Sequence, residues 1–167
     1  MLKGVLLLVV LLACTAVGRS LSAARRRRAE VLGELLAAMR VLRLRMLNSM
    51  EPVGILLRKS DSRLFRQLGN ELRVGANLYD CWRERRGRET HRGGALDSLD
   101  SDDLAILDDF FRHLGGSGRE EQSELFAGAI AAMEEAQTHA RRSYADASKV
   151  YTALGTLVGI GLCVLIV

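Results

Sequence analysis

Apolar residues follow two different patterns along this chain. They run almost unbroken at 4–18 and at 150–167, and between those runs they recur at intervals of three and four. From Ala29 to Met50 the repeat is Leu32, Leu35, Leu36, Met39, Leu42, Met46, Leu47 and Met50. That period predicts an amphipathic helix, and no breaker stops it from continuing directly out of the first apolar run. Arg43 sits at the edge of the stripe, where its stem covers apolar surface and its head reaches water. Pro52 is the next punctuation: Ser49 is expected to cap and Pro52 to enter the first turn of a short helix ending near Lys59. Ser60-Asp61-Ser62 opens another helix, with Leu64, Phe65, Leu68 and Leu72 on its buried side. A further helix is predicted from Ala76 to Arg88, with Leu78, Tyr79 and Trp82 inward, followed by a polar loop, "RGRETHRGGALDS". Ser101-Asp102-Asp103 starts the next helix, whose early acids suit its dipole. Leu104, Leu107, Phe111 and Leu114 line its face, and Gly115-Gly116 ends it. A last helix starts near Gly118 and passes through Tyr151 into the terminal apolar run.

These elements predict an all-α chain. One proline in 167 residues and the scarcity of β-branched runs in the middle agree with that class. The expected architecture is an antiparallel helical bundle over residues 20–149, flanked by transmembrane helices at 2–19 and 150–167. Residues 4–18 would reach about 22 Å as helix, against about 30 Å of hydrocarbon, and Lys3 and Arg19 can extend that reach. Arg25, Arg26, Arg27 and Arg28 follow closely, and such clusters are retained on the cytoplasmic side. The bundle is therefore expected in the cytoplasm. Two other fates stay open for the first run: removal as a signal peptide, or cleavage before Cys14 and lipidation there, which would make the chain an exported lipoprotein with a helical binding domain.

Charge divides the middle of the chain. Residues 19–92 hold 18 basic and 8 acidic side chains, whereas 93–150 hold 5 and 12. Two helix layers that attract each other are the simple reading, with separate partner surfaces or a face toward anionic lipid as the alternatives. Cys81 is the one cysteine outside the apolar ends, so the middle has no internal disulfide to make.

No catalytic constellation is apparent. Arg58 stands where a phosphate-binding loop needs glycine before Lys59-Ser60, so an ATP site is not expected. His91, His113 and His139 lack metal-ligand spacing. The aspartates at 97, 100, 102, 103, 108 and 109 do not follow a calcium-loop pattern and read as a helix start and a solvated face. "WRERRGRETHRGG" has the composition of a nucleic-acid contact, but Trp82 continues the apolar face of Leu78 and Tyr79, which puts the tryptophan in the core and the arginines outward. The expectation is a non-enzymatic protein without catalytic, cofactor-binding or metal-binding residues, and without a nucleic-acid partner. Gly155 and Gly159 form a small-xxx-small pair suited to close helix packing in lipid.

In order along the chain, "MLKG", the basic helix, the Pro52 turn, isolated Trp82, "LGGSGREEQ" at 114–122 and "KVYTALG" at 149–155 resemble the stage III sporulation protein AB family. Leu114, Gly115, Arg119 and Gln122 match a Leu-Gly, Asp-Arg, Gln pattern, and Lys149, Tyr151, Leu154 and Gly155 match a Lys, Tyr, Leu-Gly pattern. Gly118 stands where the first pattern has Asp, so any capping role would pass to Ser117. The family is similar to the inner-membrane platform protein of type II secretion systems. The resemblance implies a platform in the mother-cell membrane facing the forespore. That platform would couple a cytoplasmic ATPase subunit to the other membrane subunits of a sporulation channel complex in the lipid bilayer. Arg119, Gln122, Lys149 and Tyr151 are the structural or coupling positions it points to, with Arg119 and Gln122 facing one partner loop.

Overall fold

The computed structural model describes the backbone of residues 2–49 and 51–166 and the side chains of 24–49 and 51–145. Among the described residues six helices follow in order: α1 (Leu2–Asn48), α2 (Val53–Arg58), α3 (Arg63–Glu71), α4 (Leu78–Glu89), α5 (Ser101–His113) and α6 (Arg119–Ile166). No strand occurs among the described residues. The chain divides into two compact units, residues 28–138 and residues 1–27 with 139–167. Among the described residues no helix is long and apolar enough to cross a membrane. The expected spans at 2–19 and 150–167 fall outside the residues whose side chains are described, as does Met50.

The unit of residues 28–138 is organised by aromatic rings. All four phenylalanines and the single tryptophan of the chain are buried in it. Phe111 of α5 is the hub: Trp82 of α4 stacks on it at 4.4 Å and 25°, and Phe65 of α3 meets it edge-on at 5.5 Å and 82°. Phe110 touches Phe111 at 5.2 Å and Phe126 of α6 at 5.1 Å, both steeply inclined. Offset and edge-to-face pairs of this kind add about 0.5–1.5 kcal/mol each to the burial of the rings. Leu32, Leu35, Leu36, Met39 and Leu42 of α1 supply the aliphatic part of the core, while Met46 and Leu47 are half-buried.

Several predicted details are corrected by packing. Pro52 is the N-cap of α2 and not part of its first turn, and its carbonyl accepts from the amides of Ile55 and Leu56. Ser49 makes no cap, and its buried hydroxyl has no partner among the described residues. Leu72 closes α3 and is only half-buried. In its stead Gly69 is buried, because α2 and α3 approach so closely that a Cβ there would stand 2.5 Å from the Arg58 nitrogen and 2.9 Å from Leu57. The Arg58 side chain spans the same approach by donating to the Gly69 carbonyl at 2.8 Å.

The acidic run is not one solvated face. Asp103 is 1% exposed and receives a two-pronged bond from Arg28 of α1, at 2.7 and 2.9 Å, plus the amide of Asp100 at 3.1 Å. The bonds to Asp103 raise the pKa of the Arg28 guanidinium further above its ordinary value. Asp108 accepts the Trp82 indole N–H at 2.7 Å and pairs with Arg86. The arginines of α4 are correspondingly not all outward. Arg85 is buried and binds Glu71, Glu89 and Gln67, and Arg88 reaches Glu71. Arg28–Asp103, Arg86–Asp108 and Arg40–Glu134 join the basic and acidic halves of the sequence, whereas the pairs of Arg85 and Arg88 lie within the basic half.

Helix α4 runs on through "RGRE", the first four residues of the predicted loop, and the rest of that loop is more ordered than its polarity suggested. Glu89 holds it: one carboxylate oxygen accepts the Ala95 amide at 2.9 Å, and the other accepts from Arg85. Gly93, at φ +88°, donates to Asp97, and Leu96 and Leu99 drop into the core. The bond from Ala95, and secondarily that from Arg85, hold the Glu89 carboxyl below its usual range against the cost of burial.

Two outcomes follow from this packing. Phe111→Ala removes the hub, and chemical denaturation followed by circular dichroism should show a loss of about 3–5 kcal/mol. Because the folded pKa of Glu89 lies below its unfolded value, its contribution is complete above about pH 4.5 and fades as pH falls toward the depressed value. Glu89→Gln should therefore lower stability at neutral pH and narrow its gap to the wild type on acidification, measured as denaturation midpoints from pH 7 to pH 3.

Candidate functional site

The turn joining α5 to α6 carries the motif residues 114–122, and each has a distinct position. Leu114 caps α5 and is buried. Gly115 follows at φ +81°, the left-handed position that commonly ends a helix and that suits glycine. Its missing side chain also leaves room for Val53, whose Cγ1 would lie 3.3 Å from a Cβ. Gln122, one turn into α6, then folds back beneath the turn. Its Oε1 accepts the Gly115 amide at 3.0 Å, and its Nε2 donates to the His113 carbonyl at 3.0 Å and to Ser117 Oγ at 2.7 Å. With the side chain only 2% exposed, each of these bonds replaces a contact with water.

This geometry alters two expectations. Gln122 does not share a partner-facing surface with Arg119, because its amide is spent inside the turn. Ser117 does not take over a cap, because its hydroxyl accepts from the Gln122 side chain. Gly118 precedes α6, its carbonyl accepts the Gln122 amide, and a Cβ there would meet nothing within 4 Å, so an aspartate would fit without rearrangement.

Arg119 is exposed and lines an open groove of about 990 Å³ with Leu47, Gly118, Glu120, Glu121, Ser123 and Glu124. One wall is the end of α1, the other the first turns of α6. Arg43 bridges the walls through a 3.5 Å contact to Ser123 Oγ, so it does not simply snorkel. An arginine among three glutamates beside a leucine offers a surface for a macromolecule of mixed charge.

Trp82 lies elsewhere, fully buried in the aromatic cluster and hydrogen-bonded to Asp108. Lys149, Tyr151, Gly155 and Gly159 belong to α6, but their side chains and surroundings fall outside the described residues. Cys81 is half-buried, and burial together with Glu84, Glu71 and Asp80 pushes its thiol pKa up, opposite to the shift that activates a nucleophile. His113 is exposed, with Nδ1 3.0 Å from the Asp109 carbonyl. Among the described residues no group of His, Cys, Asp and Glu is placed to hold a metal ion.

Arg85, Asp103 and Asp108 were not singled out from the sequence as positioned residues. Arg85 had a local signal in Glu89 four residues on, and Asp103 one in Asp100, whose amide it accepts; the side-chain partners Arg28 of Asp103 and Trp82 and Arg86 of Asp108 lie 22 or more residues away, and only folding brings them together.

An all-α bundle whose most specific sequence motif builds a helix–turn–helix joint defines a class of helical protein without naming it further. The chain belongs to the stage III sporulation protein AB family, whose profile matches residues 3–167, essentially its whole length. No curated protein and no solved structure matches it.

The two motif residues separate in a stability measurement. Gln122→Ala strands the Gly115 amide and the His113 carbonyl, and should cost about 2 kcal/mol in denaturant unfolding. Arg119→Ala should stay within about 0.5 kcal/mol of the wild type, as an exposed substitution does.

Proposed function

We propose that this protein is a non-enzymatic platform of the sporulation channel between mother cell and forespore. In this reading it is anchored in the mother-cell membrane by helices at 2–19 and 150–167, with its bundle in the cytoplasm. The bundle couples a cytoplasmic ATPase subunit to the membrane subunits of the complex, and the groove beside Arg119 is the coupling surface. The observation that carries the reading is family membership over residues 3–167, which ties the chain to stage III of sporulation. Two uncharged apolar runs and the arginine cluster after the first support the membrane placement. The exposed Arg119 groove, next to a joint held by Gln122, supports the coupling role.

Topology is tested with a single introduced thiol. Val74 is fully exposed. In a chain carrying Cys14→Ala, Cys81→Ser and Cys163→Ala, Val74→Cys should react with a membrane-impermeant maleimide only after sporulating cells are permeabilised. Reaction in intact cells, or a mature chain that begins at a lipidated Cys14, would exclude a cytoplasmic bundle. Coupling is tested by co-purification from detergent extracts: the full chain should retain the complex's ATPase, and Arg119→Glu should reduce recovery at least about fivefold while leaving the helix content unchanged.

A further inference from the structure

Positive charge is concentrated in the unit formed by the chain ends. Residues 1–27 and 139–167 hold eight lysines and arginines and one acid, Asp146, a net of +7 against +4 for the whole chain. The unit of residues 28–138 is correspondingly net −3 and matches many of its arginines with carboxylates. The two helices of the terminal unit meet where Arg25 Nη1 lies 3.5 Å from the Ser143 carbonyl. That contact sets the run Arg25, Arg26 and Arg27 on α1 beside Arg141 and Arg142 on α6, and all five are exposed. Arg26 and Arg141 take further contacts of their own.

The positions of these arginines relative to the apolar runs agree on both helices. Arg25 is seven residues beyond the end of 4–18, and Arg142 is eight residues before the start of 150–167. At 1.5 Å per residue both lie about 10–12 Å along their helices from the apolar run. The two arginine groups therefore form one collar at a common level, just outside the headgroup layer of about 5–7 Å if the apolar runs fill the hydrocarbon, from which the long arginine stems can reach back to the phosphates. Guanidinium binds phosphate through paired N–H donors, and basic clusters beside a membrane segment attract anionic lipid.

We propose that this collar binds the headgroups of anionic phospholipids and gathers them around the protein. The proposal rests on the reading of 2–19 and 150–167 as membrane spans.

The test uses the full chain in phosphatidylcholine vesicles with trace spin-labelled phosphatidylglycerol or phosphatidylcholine. Electron paramagnetic resonance then measures how much of each lipid is immobilised by the protein. Phosphatidylglycerol should be preferred about threefold at low salt, and the preference should fall toward unity in about 0.5 M salt. Arg27→Gln/Arg142→Gln should lose the preference, whereas Arg27→Lys/Arg142→Lys should keep most of it. Equal immobilisation of the two lipids by the wild type would overturn the collar and leave the spans standing. No immobilised lipid of either kind would overturn the spans and the collar together. A preference retained in the glutamine variant would also overturn it. So would one erased by inorganic phosphate at matched ionic strength, since the arginines would then be taking a solute anion.

Discussion

Everything in the unit of residues 28–138 is arranged around one aromatic ring, Phe111. Phe65, Trp82 and Phe110 each lie against it, and Phe110 passes the contact on to Phe126, so that α3, α4, α5 and α6 meet at a single point. Helices of six to thirteen residues, such as α2 to α5, are too short to persist in water on their own, and packing has to supply what propensity does not. The polar pins are secondary to that cluster and positioned by it. Asp108 can accept from Trp82 because the indole ring is already stacked on the next turn of the cluster. Asp103 can receive Arg28 because α5 is held against the core by Phe110 and Phe111.

Periodicity made the helices and most of the apolar stripes legible. Leu32 to Leu42, Leu64 to Leu68, Leu107 and Phe111 lie where intervals of three and four place them. What the pattern missed has a common cause. Asp103, Asp108 and Gln122 are polar residues whose burial depends on a partner in another element or beyond a turn, and a local repeat carries no information about such a partner. Leu96 and Leu99 were hidden by the opposite circumstance. They sit in a segment too polar to look structured, which folds because one carboxylate, Glu89, gathers its amide. At the candidate site the motif residues were visible from the start, but their division of labour was not: the glutamine works inward on the turn and the arginine faces out.

The split in charge along the sequence acquires a different meaning in the fold. The basic and acidic halves are joined within the unit of residues 28–138 by pairs such as Arg28–Asp103, Arg40–Glu134 and Arg86–Asp108. Exposed pairs of this kind contribute little, and the buried bidentate pair on Asp103 matters mainly because losing one partner strands the other. Excess positive charge remains only in the unit of the chain ends. The imbalance along the sequence is thus largely settled by pairing inside one unit and left standing in the other.

Gly69 bears on how relatives of this chain diverge. The approach of α3 to α2 leaves no room for a side chain there, since even a methyl group would press on the Arg58 backbone. Substitution at this position and the spacing of the two helices cannot change independently. A relative that carries a larger residue there must have parted α2 from α3 and surrendered the bond from Arg58 to the carbonyl at that position. Within the family, one position thus reports which members keep the compact helical pair and which have rebuilt it.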